Sequence, residues 1–181
     1  MDTVTDAAIG GLIGTMERKT SADITFTNQL TNELTISGTD HVGLFCNTMQ
    51  EGSFLTATFK NGAGKISVAA TESEKDAGGF VGHMETDASL TIAGTSVYSV
   101  ASLYGNAGGI VGSSVDGSVT VKASEQDTNT NIFQFADLIT LSVGSDKAVG
   151  GLIGEYNITK NIVNTSISVD LSRYKFNTVN I

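Results

Sequence analysis

Apolar and polar residues alternate along most of this chain in short runs of five to eight. "DITFT" at 23, "SFLTATF" at 53, "SLTIAG" at 89, "SVTVKA" at 118 and "NTSISVDL" at 164 form one set. "ELTIS" at 33, "KISVA" at 65, "VYSVASL" at 97, "LITLSV" at 138 and "YKFNTV" at 174 form another. A period of two in Thr, Val, Ile and Phe is the signature of half-buried strands. No segment carries helical spacing. "TESEKDA" at 71–77 reads as a solvated loop.

Ahead of each pair of runs stands a glycine-rich segment: "AIGGLIGTM" at 8, "HVGLFCNTM" at 41, "DAGGFVGHM" at 76, "NAGGIVGSSV" at 106 and "AVGGLIGEY" at 148. The glycines are Gly10, Gly11 and Gly14, then Gly43 alone, Gly78, Gly79 and Gly82, Gly108, Gly109 and Gly112, and Gly150, Gly151 and Gly154. Taking the copies to begin at Gly10, Val42, Gly78, Gly108 and Gly150 gives steps of 32, 36, 30 and 42 residues. Val42 then stands in place of the first glycine, and Cys46 in place of the last. Most copies follow a turn-forming residue: Asp6, Asp40, Asp76, Asn106 or Asp146.

A fixed motif followed by two strands, repeated five times, predicts an all-β parallel β-solenoid of about five coils. Each coil carries about three short strands and pairs only with its neighbours. Residues 1–181 form one such domain. A β-sandwich is the alternative, but it gives no reason for a recurring glycine motif. Stacking aligns like residues into inward columns. One is Leu12, Leu44, Phe80, Ile110 and Leu152. The other is Ile24, Leu55, Leu90, Val119 and a residue near Ile167. Glycine is unfavourable in strands, so its recurrence marks corners and crowded backbone. Strand alternation then sends Ile13, Phe45, Val81, Val111 and Ile153 outward, with Thr15, Asn47, His83, Ser113 and Glu155 on the same face. That apolar column is expected to face a partner.

The motif "vGGLvG", here "IGGLIG", "VGLFC", "AGGFVG", "AGGIVG" and "VGGLIG", resembles the GLUG-type repeat of bacterial surface proteins. The resemblance spans nearly the whole chain. It implies a secreted or wall-attached bacterial β-solenoid of structural or adhesive type, and it carries over no catalytic residue.

Composition agrees with a ladder protein. There is no proline, which central strands exclude. Charged residues are 16%, against about a quarter in typical soluble domains. A net charge of −9 with scattered Lys and Arg argues against nucleic acid and anionic membranes as partners. No apolar run approaches the roughly 20 residues of a membrane-spanning helix.

Candidate chemistry is sparse. Cys46 cannot form an internal disulfide, and with isolated His41 and His83 it makes no zinc motif. "EQDTNTN" at 125–131 offers oxygen ligands for calcium, without the spacing of a defined loop. Asp23, Asp76, Asp87, Asp116, Asp127 and Asp146 read as turn residues, and no basic residues recur beside them. No catalytic, cofactor or metal residue is expected. A carboxylate pair from neighbouring coils acting on a polysaccharide is the enzymatic alternative. Neither chain end shows a cap. The sequence is therefore expected to be a segment of a longer repeat array, or to stack head to tail on other copies.

Overall fold

The computed structural model describes residues 11–60, 64–94, 97–121, 139–144, 146–159, 167–169 and 179–180. Every element among them is a strand. The first coil holds β1 (Ile13–Met16), β2 (Ser21–Thr27) and β3 (Leu34–Gly38). The second holds β4 (Val42–Gly43), β5 (Cys46–Met49), β6 (Phe54–Lys60) and β7 (Ile66–Ser73). The third holds β8 (Ala77–Gly78), β9 (Val81–Met84), β10 (Ser89–Gly94) and β11 (Ser99–Tyr104). About three turns are thus described with few breaks. Strands of two further levels continue them: β12 (Ala107–Gly108), β13 (Val111–Val115), β14 (Ser118–Val121) and β15 (Ile139–Val143), then β16 (Val149–Gly150), β17 (Ile153–Asn157), β18 (Ile167–Val169) and β19 (Val179–Asn180).

All described pairings are parallel and join each strand to its counterpart one coil away. The result is a parallel β-solenoid with three five-stranded sheets and one narrow four-stranded sheet. The narrow sheet, β16-β12-β8-β4, departs from three strands per coil. The glycine motif does not lie in one strand. It contains a two-residue strand, a bend, and the start of the next strand.

The register corrects the alignment of the second copy by one residue. Val42 pairs with Ala77 and Gly43 with Gly78. Cys46 pairs with Val81 and with Ile13. The inward column therefore contains Phe45, not Leu44, beside Phe80, and their rings stack at 5.1 Å. Cys46 occupies the valine position, and Asn47 the position of the last glycine. In the other column Ala22, not Ile24, pairs with Leu55, which aligns with Leu90 and Val119. Apolar sequences of similar size cannot reveal a slip of one or two residues; only backbone pairing decides it.

The expected outward apolar column is not on the surface. Phe45, Val81 and Val111 are 0% exposed. Ile13 and Ile153 are half-buried and pack against the same core. The bend explains the error, because alternation holds within a strand and fails across a corner. In the three middle motifs both large residues, such as Phe80 and Val81, are consequently withdrawn from solvent, whereas Leu12 of the first motif, expected to face inward, is 45% exposed.

The same corner explains the glycines. A Cβ on Gly78 or Gly108 would overlap the carbonyl of Val81 or Val111 from its own coil. On Gly82 it would lie 2.6 Å from the Val42 nitrogen and 2.8 Å from the Asn47 oxygen. A different corner, after the β1 column, is built without the motif. Lys19, Gly52, Asp87 and Asp116 all have left-handed backbones, with φ of 58°, 68°, 59° and 50°. They occupy one level each, two residues ahead of the aligned Ser21, Phe54, Ser89 and Ser118. Aspartate tolerates this conformation better than most residues.

Two glycines separate crowding from conformation. Gly52→Ala meets only Lys19 Cγ at 3.4 Å, so its cost is conformational, about 1 kcal/mol. Gly78→Ala must displace backbone and should cost about 3 kcal/mol or more. Phe80→Ala should cost about 3–5 kcal/mol by cavity formation. Denaturant titration of the three variants checks the order; equal costs for the two glycines would refute the steric account.

Candidate functional site

The turn position just before each two-residue strand is polar in three of the four levels. Counting back from the paired β4, β8, β12 and β16, the residues there are His41, Asp76, Asn106 and Ala148. Each side chain of the first three accepts the backbone N–H of the next coil at the same position. Asp76 N–H donates to His41 Nδ1 at 3.0 Å, Asn106 N–H to Asp76 Oδ1 at 2.7 Å, and Ala148 N–H to Asn106 Oδ1 at 2.9 Å. Three chemically different side chains thus fill one role.

Beside this column runs a second, on the β1–β17 sheet: Thr15, Thr48, His83, Ser113 and Glu155. Thr48, not Asn47, is its member in the second coil. The two columns join across coils. The His41 and His83 rings stack at 4.8 Å. Ser113 Oγ donates to Asp76 Oδ2 at 2.5 Å. Asn106 Nδ2 donates to Glu155 Oε2 at 2.7 Å.

The middle of this stripe concentrates ionisable groups. His41, Asp76 and His83 each place a donor atom within 4.8 Å of the others. The Ser113 hydroxyl proton goes to Asp76, so the 2.7 Å contact with His83 Nδ1 makes His83 the donor there. His41 Nδ1 also lies 3.3 Å from Asp76 Oδ2. One nitrogen cannot donate to that oxygen and accept the Asp76 N–H together. The acceptor role repeated at Asp76 and Asn106 assigns the lone pair to Nδ1.

Burial alone would raise the Asp76 carboxyl. Hydrogen bonds from Ser113 and the Asn106 N–H, with the His41 ring close beside Oδ2, outweigh it and hold the group below the usual carboxylate range. Burial, helped by His41, lowers His83 below its ordinary value. Asp40 is also held down, since its bonds to Lys75 at 3.0 Å and to the His41 N–H offset its desolvation. The Cys46 thiol is buried and pushed up to about 11, so it is not a reactive nucleophile.

Sequence reasoning treated His41 and His83 as isolated, being 42 residues apart in the chain. Stacking brings them into ring contact. The detectable signal was the step of the repeat: aligned at Gly43 and Gly78, the turn before the motif and the strand after it fall side by side. Asn47 was also missed as a glycine replacement. Its amide is buried without a hydrogen-bond partner among the described residues. Gly43, Gly78, Gly108 and Gly150 share one column of the narrow sheet. Gly79, Gly109 and Gly151 lie at the bend, as does Gly11 in the first coil, while Gly14, Gly82, Gly112 and Gly154 sit within the strands that follow. Gly10 and residues 125–131 lie outside the described residues.

No family model, curated protein or solved structure matches this chain.

His83 and Asp76 define an acid sensitivity. The unfolded chain protonates its histidines near 6.5, while folded His83 resists the proton. Stability therefore falls as pH drops through 6.5. Folded Asp76 stays ionised where the unfolded carboxyl, near 3.8, takes up a proton, so a second loss follows below that value. The thermal midpoint should decline between pH 7.5 and 5, and His83→Gln should flatten that stretch while leaving the steeper loss nearer pH 3.

Proposed function

We propose that this chain is a non-enzymatic structural or adhesive module of a bacterial extracellular surface protein or fibre. The observation that carries the reading is the uniform stacking of one unit, with hydroxyl columns on its flanks. Thr56, Thr91 and Thr120 align on the β2–β18 sheet, and Thr56 is exposed. Thr35, Ser67 and Ser99 align on the β3–β19 sheet, where Ser99 Oγ donates to Ser67 Oγ at 2.8 Å. A stack of like coils suits a spacer, and hydroxyl-lined sheet faces suit glycan or protein contacts. The glycine motif's resemblance to GLUG-type repeats supports the bacterial surface setting.

The partners proposed are other copies or neighbouring repeats, end to end, and host or environmental glycans or proteins. End-to-end stacking is proposed because, among the described residues, β1, β2 and β3 each pair on one side, and such an edge offers N–H and C=O groups to another strand. In β2 the half-buried Ile24 and Phe26 alternate with exposed residues, so that edge offers an apolar side as well. The second reading, a polysaccharide-degrading β-helix, draws on Asp76, a carboxylate held beside His41 and His83.

A glycan array run beside a turnover screen on polysaccharides separates the readings. The adhesive module should retain glycans without releasing reducing ends or unsaturated products; turnover abolished by Asp76→Asn would replace this reading with the enzymatic one. Light scattering over a concentration series should show growing mass, and a constant monomer mass would remove the end-to-end element.

A further inference from the structure

We propose that His41, Asp76 and His83 form a binding site for a divalent transition-metal ion of the zinc class, which clasps neighbouring coils together. The three residues come from different places in the repeat. His41 and Asp76 occupy the same turn position one coil apart, and His83 sits in the strand beside them. Two imidazoles and one carboxylate are three protein ligands of the type zinc takes, leaving a fourth position for water or a displayed ligand.

The spacing fits. With ligand atoms about 2.0–2.1 Å from zinc at tetrahedral angles, neighbouring ligands lie about 3.3 Å apart. His41 Nδ1 and Asp76 Oδ2 are 3.3 Å apart. The third ligand atom, on His83, lies within 4.8 Å of both, so a small displacement of that ring brings it to ligand distance. The His41 side chain keeps 18% of its surface and that of Asp76 9%, so the donors are sheltered yet reachable.

Supporting bonds are present. Ser113 accepts from His83 Nδ1 and donates to Asp76 Oδ2, and the Asn106 N–H holds Asp76 Oδ1. Such outer contacts fix the tautomer and orientation of ligands. Metal on His41 Nδ1 would take the lone pair that now accepts the Asp76 N–H. That amide therefore reports on occupancy. Imidazole ligands select zinc, cobalt, nickel or copper over calcium and magnesium.

The test uses the whole chain and ZnCl2 alone. Equilibrium dialysis should retain one zinc per chain, and cobalt should give the visible bands of a tetrahedral site. Magnesium should not compete. His41→Ala and His83→Ala should each weaken zinc binding at least about tenfold, and Ser113→Ala, which removes a supporting bond, by about 10–100-fold. Far-UV circular dichroism checks that each variant keeps its strands. Should a variant unfold, NMR of the parent decides: zinc must shift both histidine ring resonances and the Asp76 amide. Zinc that is not retained, is retained equally by the His41→Ala/His83→Ala double variant, or leaves those resonances unmoved overturns the site.

Discussion

Everything in this fold depends on the in-register parallel ladder between successive coils. One coil cannot bury its own apolar side chains or satisfy its own backbone; both needs are met only by the coil on either side. Register is what makes the arrangement specific. Because Phe45 stacks on Phe80 and Val68 pairs with Val100, the core is a set of columns, each tolerant of change within its size class. A slip of one residue would put Gly79 over Phe45 and break several columns together.

The narrow sheet follows from the same constraint. For the chain to turn sharply between Gly78 and Val81, the backbone of one segment must approach that of the next more closely than a Cβ allows. Glycine satisfies this at each level. The corner marked by Lys19, Gly52, Asp87 and Asp116 achieves a reversal by dihedral angle instead, with room for side chains. Crowding thus demands one residue type, whereas conformation admits several.

These two kinds of corner show what was legible in the sequence. The crowded corner announced itself through repeated glycine, and with the alternating runs it was enough to indicate a parallel solenoid. The left-handed corner was invisible as a column, since Lys, Gly and Asp share no obvious class. Burial of Val81 and Val111 was misread because the bend between Gly79 and Phe80 resets which side chains face inward. The His41–Asp76–His83 cluster was illegible for a third reason. Its members belong to two columns, and the unequal lengths of the repeats hid their adjacency until backbone pairing fixed the levels.

The ladder of turn side chains has a consequence for how such a chain can evolve. Its only requirement at each level is an acceptor in reach of the amide above, and imidazole, carboxylate and carboxamide all qualify at His41, Asp76 and Asn106. Coils are therefore exchangeable parts with a common coupling. A duplicated or transplanted coil would fit wherever the level beneath supplies that acceptor, whatever its loop length. At Ala148 the side chain offers none, so a coil stacked on that level would go without this bond.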